Sequence, residues 1–181
     1  LLHPFTTYLR RLPTDSIIGS YFITALCALL LNRSELCCRA AGVGVTPITL
    51  NAILNVLSGD SGLEMRTSAA RALSIISTVP DAAAAIASVR GAVRTLLSAI
   101  KRGLRDGAKA EICVRFCTAA AANVSSNGVG RQCLRNAHAL PHILAVSKSS
   151  DSETERFSLA CVANLLKPGA GSIDIPEVLS L

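Results

Sequence analysis

A chain of 181 residues that is half apolar, 17% charged and 3% aromatic has the means to bury a core, so a disordered or tail-like protein is excluded. Its apolar content comes mainly from Ala and Leu, and runs of β-branched residues are scarce, which points to all-α structure. The formal net charge of +6, with 14 Arg against 4 Lys, suits either a solvated basic surface or an acidic partner.

Leu1–Leu12 reads as a medium helix opened by Pro4, and Pro13-Thr14-Asp15-Ser16 as a break with N-cap chemistry. Ile17–Leu31 is the most apolar run, yet a bilayer span needs about 20 residues, so we expect a buried helix and no membrane. Ser34–Ala41 is a short helix closed by Gly42, and Pro47–Leu57 a medium one. Ser58-Gly59-Asp60-Ser61-Gly62 is a loop before the long helix Leu63–Thr78, which ends ahead of Pro80. Asp81–Arg90 and Ala92–Ile100 are the next short and medium helices, divided by Gly91. Lys101–Gly107 reads as a basic, Gly-punctuated loop before the long helix Ala108–Ser126. Gly128–Ala137, His138–Ser147 and Glu153–Leu166 complete another short, medium and long set, the last with a capping box from Ser152 to Glu155. After the break at Pro168-Gly169-Ala170-Gly171, a further helix is expected over Ile175–Leu181.

The long runs share one grammar. Aligning Phe22–Leu29, Glu64–Ile76, Cys117–Val124 and Ser158–Leu165 puts Ala28, Ile75, Asn123 and Asn164 in register, at separations of 47, 48 and 41 residues. A second series of apolar pairs, ending at Leu9, Leu54, Leu97, Leu144 and Leu179, recurs every 45, 43, 47 and 35 residues. Two interleaved series with similar periods are the mark of a helical repeat array. The expected units are a partial repeat over about 1–42, repeats over 43–91, 92–138 and 139–171, and the start of another at 172–181, in one array. A chain that starts at Leu1 and stops inside a repeat reads as a piece of a longer one.

Short helix, Gly, medium helix, loop, long helix resembles the armadillo repeat. Ala139-Leu140-Pro141-His142-Ile143-Leu144 is similar to that family's second-helix opening, and Ile175-Pro176-Glu177-Val178-Leu179 looks like its next copy. Ala70–Ile76 is similar to the third-helix motif. The resemblance implies a right-handed α-solenoid, a superhelix of three-helix repeats whose long third helices line a groove for an extended partner segment. It also implies an Asn on each long helix that bonds the partner's backbone, which matches Asn123 and Asn164 but not Ile75 or Ala28. Some members place a Trp one turn earlier; here those positions are Thr24, Arg71, Ala119 and Ala160, and the chain has no Trp. A nuclear-import adaptor is therefore not expected.

Residues at i, i+4 and i+8 share one helix face. The candidate groove residues are accordingly Thr67 and Arg71; Arg115, Ala119 and Asn123; and Arg156, Ala160 and Asn164. Amides suit a backbone, and guanidinium groups suit carboxylates or phosphates. The expected function is a non-catalytic scaffold or adaptor that binds an extended, acidic or phosphorylated segment of another protein. The plainer alternative is that the Asn side chains tie adjacent helices together. A second candidate surface is the basic cluster Arg90, Arg94, Lys101, Arg102, Arg105 and Lys109, with nucleic acid as the alternative partner, although aromatics for base stacking are missing. A structural subunit packed within a larger assembly is the third reading.

Seven Cys, an odd number with no Cys-x-x-Cys pair, argue against a disulfide framework. They read as small buried side chains of an intracellular protein, cytoplasmic or else nuclear. His138 and His142 are four apart but have no third ligand at matching spacing, and no nucleophile motif or phosphate-cradling loop is present. We expect no enzyme activity and no cofactor.

Overall fold

The computed structural model describes residues 17–168, and among them every regular element is a helix. In order these are α1 (Ile17–Leu30), α2 (Ser34–Ala41), α3 (Ile48–Ser58), α4 (Leu63–Ile76), α5 (Pro80–Ser88), α6 (Ala92–Asp106), a 3-10 turn (Gly107–Ala110), α7 (Glu111–Ser125), α8 (Gly128–Asn136), α9 (Leu140–Val146) and α10 (Ser152–Leu166). The helices expected over Leu1–Leu12 and Ile175–Leu181 lie outside the described residues.

Local chemistry sets most of these ends. Gly42 closes α2 at φ 89°, a left-handed cap in which its N–H reaches Arg39 O and the Val43 N–H reaches Cys38 O. A side chain there would also strike Pro47, since a Cβ would stand 2.6 Å from the proline Cβ. Pro80 starts α5, where a missing N–H costs nothing. Asp151 rather than Ser152 caps α10: its carboxylate accepts from the Thr154 N–H at 2.9 Å, and the helix starts at Ser152 itself.

Two segments depart from the sequence reading. The stretch from Lys101 to Asp106, expected as a loop, continues α6. Gly103 is no loop residue but a close crossing: it is buried, and a Cβ on it would come 2.3 Å from Val114 Cγ2 on α7. The extra residues therefore lengthen the medium helix, and Lys101, Arg102 and Arg105 stand on its surface. His138, expected to open the fourth medium helix, instead turns the chain at φ 51°, and α9 begins at Leu140.

Packing joins like with like. The long helices α1, α4, α7 and α10 pack one on the next in that order, as do the medium helices α3, α6 and α9, and the short ones α2, α5 and α8. Within a unit the medium and long helices also pair, α3 with α4, α6 with α7, and α9 with α10. The core between the rows is aliphatic, with Leu50, Ile53, Leu57, Leu73, Ile76, Leu96 and Ile100 fully buried. Burying each such side chain is worth about 1.5–3 kcal/mol. Because few aromatics are available, small residues let the backbones close up, and Ala69, Ala70, Ala72, Ala120 and Ala121 are all without exposed surface. No single helix among the described residues is long and apolar enough to cross a membrane.

Candidate functional site: the outer face of the long helices

Of the four residues in register, Ala28 is exposed, Ile75 is half-buried and packs against the core, and the half-buried amides of Asn123 and Asn164 lean back onto the preceding helix. Asn123 Nδ2 donates to Ser77 Oγ at 3.1 Å and to Ser74 O at 3.4 Å. Asn164 Nδ2 donates to Ser125 Oγ at 3.0 Å, while its Oδ1 accepts from Lys167 Nζ at 2.7 Å. Both amides thus tie adjacent long helices together, α7 to α4 and α10 to α7. The acceptor in each pair is the hydroxyl two positions past the register residue of the preceding helix, Ser77 after Ile75 and Ser125 after Asn123. Those serines stand on the sequence as a matched pair, and their spacing from the aligned position is the signal that would have found them.

The three candidate arginines differ. Arg115 lies against Asp151, with Nε to Oδ2 at 2.8 Å and a terminal nitrogen to Oδ1 at 2.7 Å. That bidentate pair joins the middle of α7 to the N-cap of α10. The Asp151 side chain is only 12% exposed, and the Thr154 hydroxyl first, then Arg115 and the Thr154 N–H, hold its carboxyl below the ordinary range against the burial that raises it. Arg156 pairs with Glu153 on its own helix at 2.9 Å and lies 5.0 Å over the Phe157 ring, with 65% of its side chain in solvent. Arg71 is exposed on α4. Thr67 is half-buried and spends its hydroxyl on Leu63 O at 2.8 Å. Ala119 is buried and Ala160 exposed.

The basic cluster is partly structural. Arg102 reaches from α6 to the end of α3 and donates to Gly59 O at 2.9 Å and Ser58 O at 3.1 Å, capping carbonyls that the helix leaves open. Arg94, Lys101 and Arg105, spaced to share one face of α6, are exposed, as are Arg90 and Lys109. Arg90 and Arg94 also border an open cleft of about 500 Å³ whose far wall includes Cys133 and Asn136 on α8.

Among the described residues no group of three or more His, Cys, Asp or Glu is placed to hold a metal ion. His138 sits in the turn and His142 on α9, so the two do not share a helix face. Burial first, and Lys101 second, keep the His142 pKa below its ordinary value. Cys113 and Cys117 do share a face of α7, but both are buried. A hydrogen bond from Cys117 lowers the Cys113 thiol against the burial that raises it, and the Cys117 thiol is pushed up in return.

Comparison of the chain with protein-family models, characterised proteins and solved structures gives no match.

Proposed function

We propose that the helices form armadillo-type units, one helix from each row, stacked as a right-handed α-solenoid, and that the chain is a non-catalytic scaffold binding an extended segment of another protein along its long helices. The observation that carries this reading is the like-with-like packing, in which α1, α4, α7 and α10 lie one against the next in chain order. A unit of this kind cannot bury its apolar surface alone, and stacking yields a long surface rather than a pocket. The cations on that face favour a segment with carboxylate or phosphate groups. Arg71 and Arg156 are its exposed members, whereas Arg115 is occupied by Asp151.

That difference decides the experiment. Reversing Arg115 would break the cap of α10, so loss of binding would not be informative. The variant pair Arg71→Glu and Arg156→Glu changes charge without touching an inter-helix bond. On an array of extended peptides, acidic, phosphorylated and uncharged, the wild-type chain is expected to favour the first two, and the double variant to lose that preference with its circular dichroism unchanged. Equal binding by wild type and variant sinks the groove assignment. The exposed row Arg94, Lys101 and Arg105 on α6 favours a second reading, an anionic surface such as nucleic acid. Reversing those three residues is the matching arm. Salt-sensitive RNA or DNA binding that disappears in this variant alone would move the function to α6.

A further inference from the structure

The open cleft of about 500 Å³ beside Arg90 lies in the middle of the described stack, between the turn that joins α5 to α6 and the last turn of α8. No long helix lines it, so it is separate from the long-helix face. Its buried lining residues, Ala87 and Val93, are apolar. Its two sides are tied together where Cys133 Sγ on α8 donates to Ala87 O on α5 at 3.4 Å.

The charged groups of this cleft are both cations, and no Asp or Glu lines it. Elsewhere Arg66, Arg115 and Arg156 meet carboxylates, and Arg102 and Arg135 meet carbonyls at helix ends. Arg90 and Arg94 stand exposed on one side of the cleft, and among the described residues neither has an ion-pair partner. Across from them Asn136 spends its Oδ1 on Gln132 Nε2 at 2.9 Å, which leaves its Nδ2 group to donate.

The fold does not ask for these cations. The same connection one unit earlier, from Gly42 through α3 to Ser58, contains no charged residue at all. Two like charges on one rim repel, and an anion seated between them turns that repulsion into attraction. A carboxylate would bring one charge and two oxygens. A phosphate monoester brings close to two charges at neutral pH and three terminal oxygens, enough for a guanidinium group on one side and an amide on the other.

We propose that this cleft is a binding site for a phosphate group, gripped by Arg90 and Arg94 from the α5–α6 side and by Asn136 Nδ2 from α8. The site does not depend on the long-helix reading, and it shares only Arg94 with the basic row on α6.

The test is calorimetric titration of the 181-residue chain with two probes, inorganic phosphate and a short neutral peptide that carries one phosphoserine. Phosphate-dependent binding is expected, and the same peptide with plain serine is expected not to bind. A peptide that binds well above inorganic phosphate assigns the cleft to a phosphorylated side chain, and equal binding assigns it to free phosphate. Arg90→Gln with Arg94→Gln is expected to weaken binding about tenfold or more, the loss of a charge-assisted bond. Arg33→Gln with Arg39→Gln takes the same charge from α2 and is expected to change nothing. Asn136→Asp keeps the acceptor for Gln132 but sets a carboxylate against the phosphate, so binding is expected to vanish with circular dichroism unchanged. Should that variant lose helicity, Asn136→Ala replaces it, with a weakening expected. Failure of both probes to bind, equal binding of the plain-serine peptide, equal losses in the two arginine pairs, or full binding by the Asn136 variant overturns the proposal.

Discussion

The seam between α1 and α4 and the seam between α4 and α7 join helices of the same row in the same order, yet they are built from different chemistry. In the second, Asn123 crosses to Ser77 and Ser74, so the outward edge of the seam is closed by an amide. In the first, the corresponding residues are Ile75 and Leu30, and the polar contacts move to the opposite end, where Ser20 Oγ donates to Glu64 Oε1 at 3.2 Å and lies 3.2 Å from Ser68 Oγ. The comparison teaches that the repeat conserves neither a residue nor a bond. Where an amide stands at the seam, as at Asn123 and Asn164, a serine hydroxyl of the preceding helix meets it, because an unmatched polar group there would lose water without replacing it.

The largest effect is expected where a seam depends on a charge. Asp151→Ala removes the N-cap of α10 and leaves Arg115 without its bidentate partner. A lost cap and a broken charge-assisted pair together cost about 2–3 kcal/mol, read as a fall in Tm of about 5–10 °C. Asp151→Asn separates the two parts, since Asn caps a helix as well as Asp does. The sign of the pH dependence follows from the lowered carboxyl pKa of Asp151. Its contribution is fully present above the unfolded value of about 3.9 and is lost as pH falls through the lower, folded value. Thermal unfolding of the Asn variant is thus expected to depend less steeply on pH below about 4 than the wild type does. Identical slopes would remove Asp151 from the account of this seam.

A smaller effect tests the matching itself. Asn123→Ala takes the amide donor from Ser77 Oγ, which goes on donating to Ser74 O at 2.8 Å, at a cost of about 1–2 kcal/mol. In a double-mutant cycle with Ser77→Ala the two changes should be less than additive by about 0.5–1 kcal/mol. The reverse change, Ile75→Asn, sets an amide where Ile75 packs against the core and is expected to destabilise by about 1–2 kcal/mol in denaturant unfolding, even though it matches Asn123 and Asn164. A neutral or stabilising Ile75→Asn would break this account of the seam.

Much of this organisation was legible in the sequence because periodicity reports burial. The succession of helices followed from apolar spacing, although their lengths did not: α6 and α7 both have 15 residues, and α9 with 7 is shorter than α8 with 9. What the spacing did not show was what each outward residue touches. Gly103 looked like punctuation, since sequence alone does not separate a glycine that breaks a helix from one that lets two helices cross closely. Lys101 and Arg102 were assigned with it to a loop for the same reason. The role of Asp151 is not legible in the sequence because its partner Arg115 lies 36 residues away, beyond any local pattern. The amides of Asn123 and Asn164 read as open to a partner, and only the fold brings Ser77 and Ser125 under them.

The smallest effect expected is at Arg156, and the reason lies in the contrast with Arg115. Both are arginines on the outward half of a long helix, and both pair with a carboxylate at less than 3 Å. Arg115 links two helices through an acid that is nearly buried, so removing it disturbs a seam. Arg156 reaches Glu153 one turn back on its own helix, both side chains stand largely in solvent, and no second element depends on the contact. An exposed pair at this spacing contributes about 0.2–0.5 kcal/mol. Packing over the Phe157 ring adds little in so open a position. Arg156→Ala is therefore expected to move the denaturation midpoint by no more than that contribution, within the scatter of such measurements, while a salt titration should find wild type and variant converging as the pair is screened. A loss near the size of that at Asp151 would mean that Arg156 holds something besides Glu153, and its place among residues free to meet a partner would have to be given up.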